Sequence, residues 1–282
     1  MNSNNTQNIN ALPIGSVLRC GEREYRIKSV LGQGGFGITY LASAKVRVGN
    51  VPVEAEFAIK EHFDSTINMR QGREVITSNP TKVLEIQESI NSFLAEARRL
   101  NELSLSHPNI VNVNESFREN GTAYYVMEYI RGENLRVYTR RHPNGRLQEA
   151  EALRIIKSIG SALEHLHSRR MTHLDVKPDN ILMRADGTPV LIDFGLAKRY
   201  DSNGRPTTTN KDAGCSDGYA PMEQYVGITS FTPEADVYAL AATLLYMLTG
   251  RDPRKATEIS SVIIAGSLNG LASPKTSLAI LH

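Results

Sequence analysis

The stretch His-Leu-Asp-Val-Lys-Pro-Asp-Asn, His173 to Asn180, is followed thirteen positions later by Asp193-Phe194-Gly195. Its side chains form a short chemical inventory. Asp175 is a carboxylate that can take a proton, Lys177 supplies an ammonium, and Asn180 and Asp193 are suited to holding a hard cation. Such groups fit phosphoryl transfer, in which a protein works mainly by positioning groups and neutralising charge. The flanking segments should then supply a nucleotide pocket and a substrate platform.

A chain of 282 residues can bury one sizeable core, or two smaller ones separated by a cleft. The net charge of +2 argues for neither nucleic acid nor a membrane surface as partner. Cys20 and Cys215 lie far apart without metal-ligand spacing, as befits unpaired thiols in a reducing compartment. Met1 to Asn10 lacks a basic start and an apolar core, so it reads as part of a disordered tail and not as a secretory signal. The longest nearly apolar run, Val237 to Leu248, is too short to span a bilayer.

Upstream, Tyr25 to Leu31 alternates like a strand and opens into Gly32-Gln33-Gly34-Gly35-Phe36-Gly37, after which Ile38 to Ala42 is strand-like again. Glycines so spaced let backbone N–H groups approach phosphate oxygens, and they equally suit a plain hairpin turn. The β-branched and aromatic continuation argues against a dinucleotide fold, where a helix follows. Phe57-Ala58-Ile59-Lys60 is a short strand ending in a lysine that could simply reach solvent. Its weight comes from Glu96. On a helix from Ile90 to Leu103, with Ile90, Phe93, Leu94, Ala97, Leu100 and Leu103 as its apolar face, Glu96 falls inside the apolar arc. An inward carboxylate needs a cation, and Lys60 is the candidate. Asp64 to Glu88 between them reads as a loop or mobile insertion. Ala123 to Ile130 reads as an inner strand, in which Met127 packs in the core or backs an adenine pocket, with the backbone of Glu128 to Ile130 facing the base edge.

In the second half, Leu153, Ile156, Ile159, Leu163 and Leu166 mark a helix from about Glu149 to Ser168, on or after which His165 and His167 read as packing or surface residues. Taken together in order and spacing, His173 to Asn180, Asp193 to Gly195, the glycine loop, Ala58-Ile59-Lys60 and Glu96 resemble the eukaryotic-like protein serine/threonine kinases. Gly35-Phe36-Gly37-Ile38-Thr39-Tyr40 is similar to their bacterial branch. The resemblance spans Tyr25 to about Gly250. It implies an α+β, two-lobed protein-kinase-like fold: an N-terminal lobe of antiparallel sheet plus one helix, and a mainly helical C-terminal lobe, with nucleotide between them. It implies ATP and Mg2+ as cofactors, Asp175 as the base, Asn180 and Asp193 as the magnesium ligands, and Lys177 beside the transferred phosphate, which favours Ser or Thr hydroxyls of a protein substrate.

The same resemblance implies that Ser216 and Glu223 floor the substrate groove, where Ser216 would otherwise be a solvated turn serine. Leu174 stands where many members have Arg, so the guanidinium that grips a phosphorylated activation segment is absent. Thr207, Thr208 and Thr209 are candidate phosphosites there without their usual partner. Thr232-Pro233-Glu234 starts a helix running Val237 to Thr249, apolar on all sides and stopped by Gly250. Asp236 is either a dipole-favourable acid or, by the resemblance, the group that holds the catalytic loop from below. Ser273-Pro274 starts a helix that reaches His282 after about two turns, and the family has further helices there, so the C-terminal lobe is expected to be incomplete.

The expected organisation is a disordered tail over 1–14, a nucleotide lobe over 15–130 and a catalytic and substrate lobe over 131–282. A nucleotide-binding scaffold or inactive fragment is the rival to an active kinase, and a small-molecule phosphotransferase ranks third. ATP use and the lack of an export signal place the chain in the cytoplasm, with no membrane segment of its own and no nucleic-acid partner.

Overall fold

The computed structural model describes residues 10–34, 37–77, 79–104, 106–201, 215–225 and 232–259. The chain divides into two compact units at Tyr129/Ile130, with His107–Ile110 belonging to the second.

The first unit is built on strands β1 (Val17–Cys20), β2 (Arg23–Gly34), β3 (Gly37–Val48), β4 (Val51–His62), β5 (Asn68–Gln71) and β6 (Glu74–Thr77), helix α1 (Val83–Ser104), and strands β7 (Val113–Glu119) and β8 (Thr122–Glu128). Six of these form one sheet in the order β1-β2-β3-β4-β8-β7, with every neighbouring pair antiparallel. Only the second half of β4 is covered: Phe57 to His62 are all buried, whereas Val51 to Glu54 are exposed on a ribbon shared with β3. Tyr25, Ile27, Ile38, Tyr40, Ile59 and Tyr124 fill the core of this sheet.

Two expectations change here. The segment after Asp64 is no open loop, because Asn68 to Thr77 pair as a hairpin across a two-residue Gly72-Arg73 turn, with Gly72 at φ 61°. Val83 onward is already helix, two turns before Ile90. Residues 10–14, expected in the tail, are also described. Leu12 is 3% exposed and its N–H donates to the Tyr40 hydroxyl at 3.0 Å, so burial and a hydrogen bond fix it to the sheet.

His62 ends β4 with its Nε2 2.8 Å from Ser89 Oγ of α1 and its carbonyl accepting from Thr122 Oγ1 at 2.6 Å. Burial pushes its imidazole down to about 4, partly opposed by the Asp64 carboxylate. The unfolded chain, whose histidine titrates near the ordinary value of about 6.5, binds that proton first. Stability is therefore complete above about pH 6.5 and falls as the pH drops toward 4, by up to about 3 kcal/mol. Thermal melts of the wild type and His62→Gln between pH 7.5 and 5 check this. The variant should lose much of the acid sensitivity, and equal slopes in the two proteins would refute it.

The second unit carries β9 (Gly132–Asn134), α2 (Leu135–Arg141), α3 (Glu149–His167), β10 (Met171–Thr172), β11 (Ile181–Arg184), β12 (Pro189–Leu191), β13 (Lys198–Arg199), α4 (Met222–Tyr225) and α5 (Pro233–Thr249). The Asn134 side chain caps α2 by accepting from Val137 N–H at 2.9 Å. Helix α3 buries Ala152, Ile155, Ile159, Ala162, Leu163 and Leu166, so its inner face includes Ile155, with Leu153 and Ile156 half-buried at the margin.

Helix α5 is less uniformly buried than its composition suggests. Ala235, Asp236, Ala239, Thr243, Tyr246 and Met247 face inward, while Val237 is 58% exposed. Nor does the Thr232 hydroxyl cap the backbone. It bonds the Glu234 carboxylate instead, which lowers that group's pKa. The helix stops as expected at Gly250, at φ 69°, whose N–H returns to Tyr246 O. Among the described residues no helix is long and apolar enough to cross a membrane.

Candidate active site

Backbone geometry places the site residues of the second unit. Between β10 and the short 3-10 turn Pro178–Asn180, Leu174 adopts φ 64°, a left-handed conformation costing a branched side chain about 1–2 kcal/mol. Three contacts hold it. Asp236, fully buried on α5, accepts from His173 N–H and Leu174 N–H, each at 2.8 Å, and Gln224 Nε2 donates to Leu174 O at 3.0 Å. Asp236 also accepts from His167 Nε2 at 2.8 Å. Of the two readings of Asp236, the one that holds this loop is correct, and His167 proves to be its partner.

His173 is fully buried, and burial pushes its pKa down, so the ring is neutral. Its Nε2 faces Ile192 O at 3.1 Å and its Nδ1 accepts from Asp175 N–H at 3.3 Å, which assigns the proton to Nε2. Phe194 packs edge-on against this ring at 4.6 Å. The histidine thus joins the loop of Asp175 to the segment carrying Asp193.

The side chains converge on Asp175. Lys177 Nζ lies 3.0 and 2.9 Å from its two carboxylate oxygens and 2.7 Å from Ser216 Oγ. Ser216 donates to Asp175 Oδ1 at 2.6 Å, and Asn180 Nδ2 donates to Asp175 Oδ2 at 2.7 Å and to its carbonyl at 2.9 Å. Ser216 is therefore no solvated turn residue. Asp193 sits at φ 60°, with one carboxylate oxygen accepting from Gly195 N–H at 3.3 Å. Glu223, half-buried on α4, has no hydrogen bond or ion pair among the described residues.

Arg136 of α2 was not legible as a site residue. Its guanidinium grips Asp179, with Nε 2.9 Å from both oxygens, bonds Asp252 at 2.7 Å and stacks over Tyr246 at 4.8 Å. Tyr219 OH donates to the same Asp252 oxygen at 2.7 Å. Asp179, between Lys177 and Asn180 in sequence, is thereby turned to a structural task. The only signal in the sequence was a second acid inside the motif, and nothing local pointed to its distant partner.

In the first unit, Lys60 is 9% exposed on β4 and Glu96 is half-buried on α1, as its place in the apolar arc predicts. Ala58 and Met127 are buried and directly paired between β4 and β8. The N–H of Glu128 donates to Asn112 O at 2.9 Å, so it is no donor for a base edge, which narrows the expectation for this residue to its carbonyl. Gly32, Gln33, Gly34 and Gly37 lie in the β2–β3 hairpin, where β2 is bulged between Ile27 and Ser29 and between Val30 and Gly32. Gly35 and Phe36 lie outside the described residues, as do Thr207, Thr208, Thr209 and the segment from Ser273. Ile130 is buried in the second unit.

The protein kinase domain matches residues 25–270 of this sequence. The chain belongs to that family. Its relatives include the kinase domains' bacterial bearers: serine/threonine-protein kinase PknA of Nostoc sp. is 32% identical over 83% of this chain and 38% of its own length. PrkC of Bacillus subtilis is 34% identical over 81% of this chain and 31% of its own. Among solved structures, the PpkA-294 apo form aligns with a TM-score of 0.72 at 29% identity, covering 96% of this chain and 92% of that one. The kinase domain described here thus spans under half the length of those two curated relatives.

Proposed function

We propose that this kinase domain transfers the γ-phosphate of ATP to Ser or Thr hydroxyls of protein substrates in the cytoplasm. The observation that carries the reading is the convergence of Lys177, Ser216 and Asn180 on one carboxylate. Asp175 then takes the substrate hydroxyl's proton. A carboxylate has about four lone-pair positions, and here Lys177, Ser216 and Asn180 occupy them. The hydroxyl gains access as Lys177 moves from Asp175 to the transferred phosphate, which leaves an acceptor position behind. Ser216 keeps the carboxylate oriented meanwhile.

Asn180 and Asp193 fit a divalent cation, and we assign Mg2+. The Asn180 amide nitrogen is committed to Asp175, which leaves its oxygen as the ligand atom. Among the described residues no cluster of three His, Cys, Asp or Glu would hold an ion alone, as suits a magnesium site completed by substrate phosphates and water. When bound, the ion neutralises charge on the phosphates. In the first unit, Glu96 is assigned to hold Lys60 for contact with nucleotide phosphate, and the glycine hairpin to cradle phosphate by its backbone.

Magnesium-dependent transfer of label from γ-labelled ATP to the chain itself and to a Ser/Thr-rich protein tests the proposal. Phosphoserine or phosphothreonine is the expected product. No transfer, despite ATP–Mg2+ raising the Tm, would leave a nucleotide-binding module instead.

Phosphate on the activation segment should matter little. Leu174 is 3% exposed and packs against Ala235 and Leu196, an apolar contact that has no use for a phosphate. Thr207/Thr208/Thr209→Ala is expected to change the transfer rate by less than about tenfold. A larger loss would show that another cation grips a phosphate there.

A further inference from the structure

The residue after Lys60 is a carboxylate with no exposure at all. Glu61 accepts hydrogen bonds from Tyr40 OH at 2.6 Å and Tyr124 OH at 2.7 Å, and Arg70 Nη2 lies 2.5 Å from it. Arg70 comes from the β5–β6 hairpin, and its side chain is 2% exposed. Its other nitrogens donate to Asn10 O at 2.6 Å and Arg73 O at 2.9 Å, and its guanidinium lies over the Phe63 ring. One ion pair therefore ties three segments together: the inserted hairpin, the chain entering the sheet at Asn10 and the end of β4.

The hairpin has further anchors: Val75 is buried in the sheet core with its N–H donating to Asn120 O at 2.8 Å, and Arg73 reaches Val17 O and the Glu119 carboxylate. Toward α1 the fit is looser, since Asn68, Val75 and Thr77 face Val83, Ile86 and Ile90 across a cavity of about 140 Å³. Strand alternation sends Lys60 and Glu61 to opposite faces of β4. Anchoring the Glu61 carboxylate thus sets the rotation of the strand where Lys60 leaves it. The same point governs the glycine hairpin. A Cβ on Gly37 would lie 2.5 Å from the Glu61 carbonyl, so β3 approaches β4 here more closely than any other residue allows.

We propose that the insertion is a positioning element for nucleotide binding, in which Arg70 acts through Glu61 to hold Lys60 and Gly37 in place. This rests on the reading of Lys60 as a phosphate-contacting lysine. Arg70 is a positioning residue and touches no substrate.

The test compares ATP–Mg2+ dissociation constants and Tm for the wild type, Lys60→Met, Arg70→Met and Glu61→Gln/Arg70→Met. Lys60→Met should weaken ATP binding about tenfold or more, through loss of a charge-assisted contact. Arg70→Met leaves a buried carboxylate uncompensated, so Tm should fall by about 10 °C. Its ATP affinity, measured well below that Tm, should drop about 5- to 10-fold, a sizeable part of the lysine's own contribution. The double variant removes the stranded charge and keeps the amide within reach of both tyrosines. Its Tm should recover while ATP affinity stays low, because no guanidinium ties the hairpin to the end of β4.

Recovery of affinity together with Tm, or unchanged affinity in Arg70→Met, would reduce Arg70 to a stability role and overturn the proposal. If Lys60→Met binds ATP as the wild type does, or the wild type binds none, the reading of Lys60 fails first and takes the proposal with it.

Discussion

Asp175→Asn is expected to lower the rate of phosphoryl transfer by about 10²- to 10⁴-fold, the usual loss for a removed general base. Two physical changes contribute. The amide cannot take the hydroxyl proton. It also presents one acceptor oxygen and an NH2 group where the carboxylate accepted from Lys177, Asn180 and Ser216, so a donor is set against a donor. The Asn180 amide loses its contact with the side chain but keeps the one to the Asp175 carbonyl at 2.9 Å, which still aims its oxygen away. ATP–Mg2+ stabilisation against heat should persist, since the group removed is not assigned to the nucleotide or the ion. Steady-state transfer and thermal shift on the same preparation read both halves. Transfer within tenfold of the wild type would remove Asp175 from its role. Asp193→Asn, by contrast, should lose transfer to a comparable extent and lose the magnesium-dependent part of the thermal shift as well.

Asp236→Ala should be the most damaging single change to the second unit, destabilising it by about 3–5 kcal/mol. The variant strands two buried backbone N–H groups, of His173 and Leu174, at about 1–3 kcal/mol each, together with the His167 contact. The left-handed conformation of Leu174 loses its main restraint at the same time. Asp236→Asn keeps one acceptor oxygen and should cost about half as much. Denaturant unfolding measures the stability, and transfer assayed at low temperature separates misplacement of Asp175 from simple unfolding. A loss under about 1 kcal/mol for the alanine variant would mean that water or another side chain satisfies those amides.

These two residues mark the range of what could be read in advance. Asp175 announces itself, because its neighbours in the site are its neighbours in sequence: Lys177 and Asn180 reach it from two and five positions away. Asp236 has two readings in sequence, and only the position of α5 beneath His173 decides between them. The inner face of α3 is legible only in part for a related reason. Periodicity fixes that a face exists, while the neighbours packed against it select Ile155 over Leu153.

The insertion after Asp64 shows the opposite case. Gly72, in Arg70-Gln71-Gly72-Arg73, was a turn signal within it, yet a hairpin of two four-residue strands carries too little alternation to stand out from a polar loop. Among its anchors is the buried Arg70–Glu61 pair, and no local pattern says which of many acids and bases will meet in a core. The pairing of Arg136 with Asp179, forty-three positions away, is locally illegible for that reason, as is the bond from Leu12 N–H to the Tyr40 hydroxyl.

The chemistry-bearing loop, the strands on either side of the glycines and the long helices are legible in the chain, because each is written in residues within a turn or two of one another, and the α+β class follows from the family resemblance that these motifs carry together. Which distant polar groups meet is settled only by the fold: Glu61 with Arg70, Asp179 with Arg136, and the N–H groups of His173 and Leu174 with the Asp236 carboxylate. For Glu61 and Asp236 burial demands it, whereas Asp179 keeps a side chain that is 40% exposed and is gripped by the more buried Arg136. A charged group near the surface can be left to water, but one in the interior must find its partner wherever the fold brings it.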